Sequence, residues 1–122
     1  MSLKIVHVIP TLGEGGAARL TMNLAIYQCS VGHDVKILTL FSPRPGSLDG
    51  PMANYLQHRG IKTYFLGKRL GLDITMFRKI DSFVRGFKPH VLHTHGSGLR
   101  YSLLAILGRR ASAYVHTIHT IA

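Results

Sequence analysis

The residues with the clearest chemical content are histidines: eight in 122. Five of them gather late in the chain. His90, His93 and His95 lie on or just beyond one short apolar run, and His116 and His119 lie on or just beyond the next. An H-x-H pair on a strand puts both imidazoles on one face, where they can move protons or bind metal near neutral pH. In open parallel sheets, ligands bind outside the carboxyl ends of the strands. His95, just before Gly96, and His119 fall at such ends on neighbouring strands, whereas His93 is one pleat deeper and reads as a hydrogen-bonded core histidine. As a metal set, His93, His95, His116 and His119 lack the carboxylate that zinc or iron sites on such motifs usually recruit. None of the five acids is close in sequence to His116 and His119, so no metal is expected. Neither a Ser-His-Asp nor a Cys-His arrangement is evident.

The second feature is the glycine-rich turn Gly13-Glu14-Gly15-Gly16-Ala17-Ala18. Without Cβ atoms, its backbone N–H groups can come close to an anion or a hydroxyl-rich ligand, and φ > 0 costs nothing. A helix starting there adds partial positive charge. Gly13, Gly15 and Ala18 satisfy the dinucleotide pattern G-x-G-x-x-A. However, Pro10-Thr11-Leu12 separate the first glycine from the preceding strand, and the second strand ends Thr39-Leu40-Phe41-Ser42 without the carboxylate that holds a ribose. Arg44 leaves a phosphorylated dinucleotide open. No Gly-Lys-Ser/Thr follows the glycines, which excludes a phosphate-loop nucleotidase.

These groups need elements to position them. Apolar runs at Lys4–Ile9, Asp34–Leu40, Ile61–Leu66, His90–Thr94 and Ala113–Ile118 read as five strands. Between them, residues 16–31, Met52–His58, a segment N-capped by Asp73 and running to Phe87, and Leu99–Leu107 read as helices. In the first helix, Ala17, Leu20, Leu24, Tyr27 and Val31 form the expected buried stripe. Alternating strands and helices with near-continuous apolar strands imply an α/β fold: a Rossmann-like open parallel sheet covered on both faces.

The length supports one domain, residues 1–122. Residues 1–3 read in part as vector-derived, and the stop directly after a strand reads as truncation. The chain is 46% hydrophobic and 16% charged, which excludes disorder. No run reaches the ~18 apolar residues of a membrane span, and no secretory leader is visible. Cys29, the single cysteine, reads as a core hydrophobe, and the cytoplasm is the default compartment. The net charge of +10 attracts phosphates, nucleic acid or anionic lipid. Lys68, Arg69, Arg78, Lys79, Arg85 and Lys88 concentrate it around the Asp73–Phe87 helix.

Several segments match a known pattern in order. Lys4-Ile5-Val6-His7-Val8-Ile9-Pro10 followed by Gly15-Gly16-Ala17 resembles the opening of family 4 (group 1) glycosyltransferases. Leu24-Ala25 and Gly32-His33-Asp34-Val35 continue the resemblance. Lys88-Pro89-His90-Val91-Leu92-His93-Thr94-His95 is similar to the family's K-P-D-V-V-H-x-H segment, and Val115-His116-Thr117-Ile118-His119 to its V-x-T-x-H strand end. Ala18 stands where the family often has Glu, and His90 where it has Asp.

The resemblance implies one half of a GT-B enzyme, in which two Rossmann-like domains face a cleft. This acceptor-binding N-terminal half would lack the C-terminal donor domain and its glutamate pair, and alone would be inactive. The implied reaction is retaining transfer of a hexosyl-type sugar from a nucleotide-sugar to a hydroxyl acceptor, without cofactor or metal. Gly15 and Gly16 would bind substrate near the donor diphosphate and acceptor. His95 would line the cleft, and His119, nearest the transferred sugar, would be catalytic. A lipid-linked or cell-envelope acceptor and the inner face of a membrane fit this reading; nucleic acid is not expected. Two alternatives stand beside it: a nucleotide-binding oxidoreductase domain, and a non-enzymatic basic module for anions or membranes.

Overall fold

The computed structural model describes residues 2–13 and 15–118. In chain order the elements are β1 (Lys4–Ile9), α1 (Gly15–Ser30), β2 (Asp34–Thr39), α2 (Asp49–Gln57) and β3 (Lys62–Phe65). They continue with α3 (Thr75–Phe87), β4 (Val91–His95), α4 (Gly98–Tyr101), α5 (Leu103–Leu107) and β5 (Ala113–Thr117). The five strands form one sheet in the order β3-β2-β1-β4-β5, and every pairing is parallel. The expected α/β class, Rossmann-like and five-stranded, is what is found.

Alternation along the strands sorts the core into two layers. Ile5, Ile9, Val35 and Ile37 face α1 and α2, burying Ala18, Ala25 and Leu56. Val6, Val8, Leu38, Leu40 and Leu92 face the other way, onto Met76, Ile80 and Val84 of α3 and onto Tyr101 and Ala105. β1 lies in the middle. Strand order reverses between β1 and β4, the position at which open α/β sheets bind ligands.

Helix α1 departs from its expected face. Leu20, Tyr27 and Val31 are 53%, 65% and 52% exposed, and the buried residues are Ala18, Thr21 and Ala25. The helix is rotated by about one residue from the apolar stripe. Two needs outweigh leucine burial there: small residues allow close approach to the sheet, and Thr21 and Gln28 supply polar groups to buried histidines.

At α3 the N-cap position falls on Ile74, one past the expected Asp73, but the Asp73 side chain still ties down the helix start. Its Oδ1 accepts the Thr75 N–H (3.0 Å) and the Thr75 hydroxyl (2.6 Å), while Oδ2 accepts the Arg69 N–H (2.9 Å). These bonds hold its pKa well below the ordinary carboxylate range, the Arg69 N–H contributing most. Lys88, in the left-handed region, closes α3 ahead of Pro89. The helix expected over Leu99–Leu107 is broken in two at Ser102, whose hydroxyl donates back to the Gly98 carbonyl at 2.7 Å.

Candidate functional site

Two clusters lie against α1. The first is the glycine turn. Gly15 adopts φ +85°, a region that only glycine enters freely. Gly13 donates its N–H to Asp49 Oδ1 at 2.6 Å. Asp49 Oδ2 accepts from the Ser47 hydroxyl (2.8 Å) and pairs with the Arg44 guanidinium (3.5 Å). Burial opposes charge on Asp49, but these donors outweigh it and hold its pKa below the ordinary value. The carboxylate thus ties the glycine turn to the start of α2.

Beside the turn is a cavity of about 420 Å³. Leu12, Met22, Leu48 and Met52 give it apolar walls, Gly13, Gly15 and Ala18 a backbone-rich edge, and Arg19 and Asn23 polar groups. Gly15 therefore lines a cavity. Gly16, next to it, is exposed, and a Cβ there would meet no atom within 4 Å.

The second cluster is histidine. His7 and His93 are register partners on β1 and β4, and His95 follows on the same face. His93 stacks on His95 with ring centroids 4.1 Å apart. His7 Nδ1 lies 3.1 Å from His95 Nε2, and His7 Nε2 lies 2.8 Å from Gln28 Oε1. His95 Nδ1 lies 3.3 Å from Thr21 Oγ1, and the Thr21 hydroxyl donates to the Ala17 carbonyl at 2.8 Å. His93 Nε2 contacts Thr117 Oγ1 at 2.6 Å. All three imidazoles are buried. Burial pushes the His7 pKa down to about 4, with His93 adding to the effect and the Gln28 hydrogen bond opposing it.

His93 is a hydrogen-bonded core histidine, as expected. His95 is only 1% exposed and is held between β1 and α1. The grouping of His93, His95, His116 and His119 does not form: His116 sits opposite Thr94, its Nδ1 2.8 Å from the Thr94 hydroxyl, and so faces the other side of the sheet from His93 and His95. His119 lies outside the described residues. Sequence reasoning missed His7, a single histidine in an apolar run. The signal that could have found it is topology, because a β1–β4 pairing places it beside His93.

The basic surface around α3 is partly neutralised within the chain. Arg69 pairs with Asp73, and Arg85 with Asp81. Lys79 donates to the Leu66 carbonyl, and Lys68 to the Arg69 and Gly71 carbonyls. A separate strip has no carboxylate partner among the described residues, though Lys4 also donates to the Phe87 carbonyl at 3.3 Å. Here Lys4, Lys36 and Lys62 lie over the rings of Phe87 and Tyr64 at 5.1–5.9 Å.

Comparison with known proteins places these features in context. A family model described as Glycosyltransferase Family 4 matches residues 14–122. A glycosyltransferase structure from Rickettsia africae ESF-5 superposes with TM-score 0.77 at 20% identity, covering 99% of this chain and 31% of that one. Phytolacca americana UGT2, complexed with UDP-2-fluoro-glucose and pterostilbene, superposes with TM-score 0.62 at 13% identity, covering 99% and 31%. The C-terminal domain of a Pyrococcus furiosus hydrogenase superposes with TM-score 0.66 at 10% identity, covering 96% and 90%. At these identities the structures share the fold. The chain spans about a third of each glycosyltransferase. No curated protein matches the sequence.

Proposed function

Because this chain belongs to glycosyltransferase family 4, we propose that it forms the acceptor-side half of a GT-B cleft, in an enzyme that transfers a hexosyl-type sugar from a nucleotide-sugar to a hydroxyl with retention. The observation that carries this reading is the 420 Å³ cavity beside Gly13 and Gly15, between α1 and the start of α2. Exposed backbone at the start of α1 suits a phosphate or a sugar hydroxyl, and Arg19 adds a cation beside it. The walls of Leu12, Met22, Leu48 and Met52 favour an acceptor with an apolar portion, such as a lipid-linked sugar. His119 takes the catalytic role, with its imidazole stabilising the departing diphosphate or orienting the acceptor hydroxyl. His95, behind the turn, fixes the geometry of that region. The transfer needs neither cofactor nor metal, and this half alone does not turn over, because donor and acceptor must be held together.

The test is kinetic, on the enzyme with its donor half present. His119→Ala should lower kcat with little change in melting temperature. Unchanged kcat with a lowered melting temperature would return His119 to a structural role.

The basic strip supports a second element of this reading, residence at an anionic membrane surface on the cytoplasmic side. Lys4, Lys36 and Lys62 are cations without carboxylate partners among the described residues, and each is worth ~1 kcal/mol near anionic lipid.

A further inference from the structure

The hydrogen-bond directions around His7 and His95 conflict in a specific way. Gln28 Oε1, an acceptor, faces His7 Nε2 at 2.8 Å, so that nitrogen must carry the proton. Thr21 gives its hydroxyl proton to the Ala17 carbonyl at 2.8 Å, so it can only accept from His95 Nδ1. A neutral imidazole has one N–H and one lone pair. Both protons are then on the outer nitrogens, and the inner ones, His7 Nδ1 and His95 Nε2, face each other as two lone pairs 3.1 Å apart. Either an electron-poor group lies between them or the Gln28 amide is turned over.

We infer that His7, His93 and His95 form a binding site for a zinc-like divalent cation, joining β1 to β4 at the strand-order reversal. One ring nitrogen from each of the three lies within 4.8 Å of the others, and His93 must turn out of its stack on His95 to share the ion. A tetrahedral ion with metal–nitrogen bonds of ~2.0–2.1 Å holds its ligand nitrogens ~3.3 Å apart, close to the separation of the His7–His95 pair. The surrounding groups suit such a site. Ligating histidines donate their other N–H to a fixed oxygen, and here Gln28 Oε1 and Thr21 Oγ1 receive those bonds while Thr117 Oγ1 holds His93. Three imidazoles without a carboxylate or thiolate select zinc, cobalt, nickel or copper over magnesium and calcium, and water completes the fourth position. The ion is a pin between strands, so this inference is independent of the proposed sugar transfer. Without an ion, the same contacts would require the Gln28 amide turned over, so that hydrogen bonds run from Gln28 through His7 and His95 to Thr21.

The experiment uses Co²⁺ and Zn²⁺ on chain stripped by a chelator. The expected result is one tightly bound equivalent, a visible absorption band of four-coordinate cobalt displaced by zinc, and a higher melting temperature with metal. His95→Gln should abolish the band, while His116→Gln, on the other face, should keep it. Should His95→Gln fail to fold, Gln28→Met removes an orienting oxygen and should weaken metal binding ~10–100-fold. Absence of the band in the wild-type chain would overturn the inference in favour of the turned amide. Loss of the band in His116→Gln would overturn it in favour of surface binding.

Discussion

Asp49 Oδ1 accepts the Gly13 N–H at 2.6 Å, and a Cβ added to Gly13 would meet that same oxygen at 2.6 Å and the Asp49 backbone nitrogen at 2.7 Å. The bond and the exclusion are one contact: the first turn of α2 comes so close to the glycine turn that only glycine fits between them. Gly13→Ala should therefore lower stability by ~1–3 kcal/mol without any ligand. Gly16→Ala adds a Cβ in open space and should leave the melting temperature within error or slightly raised. Thermal melts of the two variants decide this, and equal losses would refute it. With the proposed donor half present, a Gly16→Ala or Gly16→Val variant then reports on ligand approach alone.

Asp49 also gives a pH dependence. Its folded pKa lies below its ordinary value, so the native state binds its proton less readily than the unfolded chain does. The stability it contributes is present above the ordinary carboxylate pKa and is lost as pH falls through the folded one. Asp49→Asn should lower stability at neutral pH and flatten that acid loss. Denaturant midpoints measured from neutral pH down to about 3 give the comparison, and parallel curves would contradict it.

Gln28 is predicted to matter more than its place on a partly exposed helix implies. Gln28→Leu leaves His7 Nε2 buried without its 2.8 Å partner, which should cost ~1–3 kcal/mol. Gln28→Glu restores an oxygen acceptor at that position and should recover part of the loss. Urea unfolding with zinc present measures both, and a neutral Gln28→Leu would contradict the role.

The basic strip predicts salt-sensitive attachment to anionic vesicles. Lys36→Glu and Lys62→Glu should reduce co-sedimentation at low salt, and 1 M salt should abolish it, since the Debye length there is ~3 Å. Arg69→Glu should reduce it less, because Arg69 is already paired with Asp73. Equal binding to neutral vesicles would refute an electrostatic membrane contact.

The sheet was readable from sequence because its strands are nearly continuous apolar runs, which only a doubly covered parallel sheet tolerates. The buried face of α1 was not. Counting apolar residues chose Leu20, Tyr27 and Val31, while the sheet selected Ala18, Thr21 and Ala25 for close approach and hydrogen bonding. Two of the three clustered histidines were readable. His93 and His95 announce themselves by alternation, but their partner comes from β1 and joins them through strand order, which local patterning does not encode.

The place of β1 in the middle of the sheet has a consequence for the order in which the protein assembles. On one side, β1 meets β2 through a short closure; Leu3 and His33, which bond across it, are 30 residues apart. On the other side, His7 and His95 are 88 residues apart. Since closure entropy rises by only ~0.6 kcal/mol per doubling of loop length, the second pairing costs little more than the first, but it must wait for a later stretch of chain. During synthesis, β1, β2 and β3 emerge while two of the three clustered histidines are still unmade. His7 then spends that interval beside an open sheet edge with its partners yet to arrive. The cluster is thus a late event in the protein's history, and its completion marks the moment when the two halves of the sheet become one.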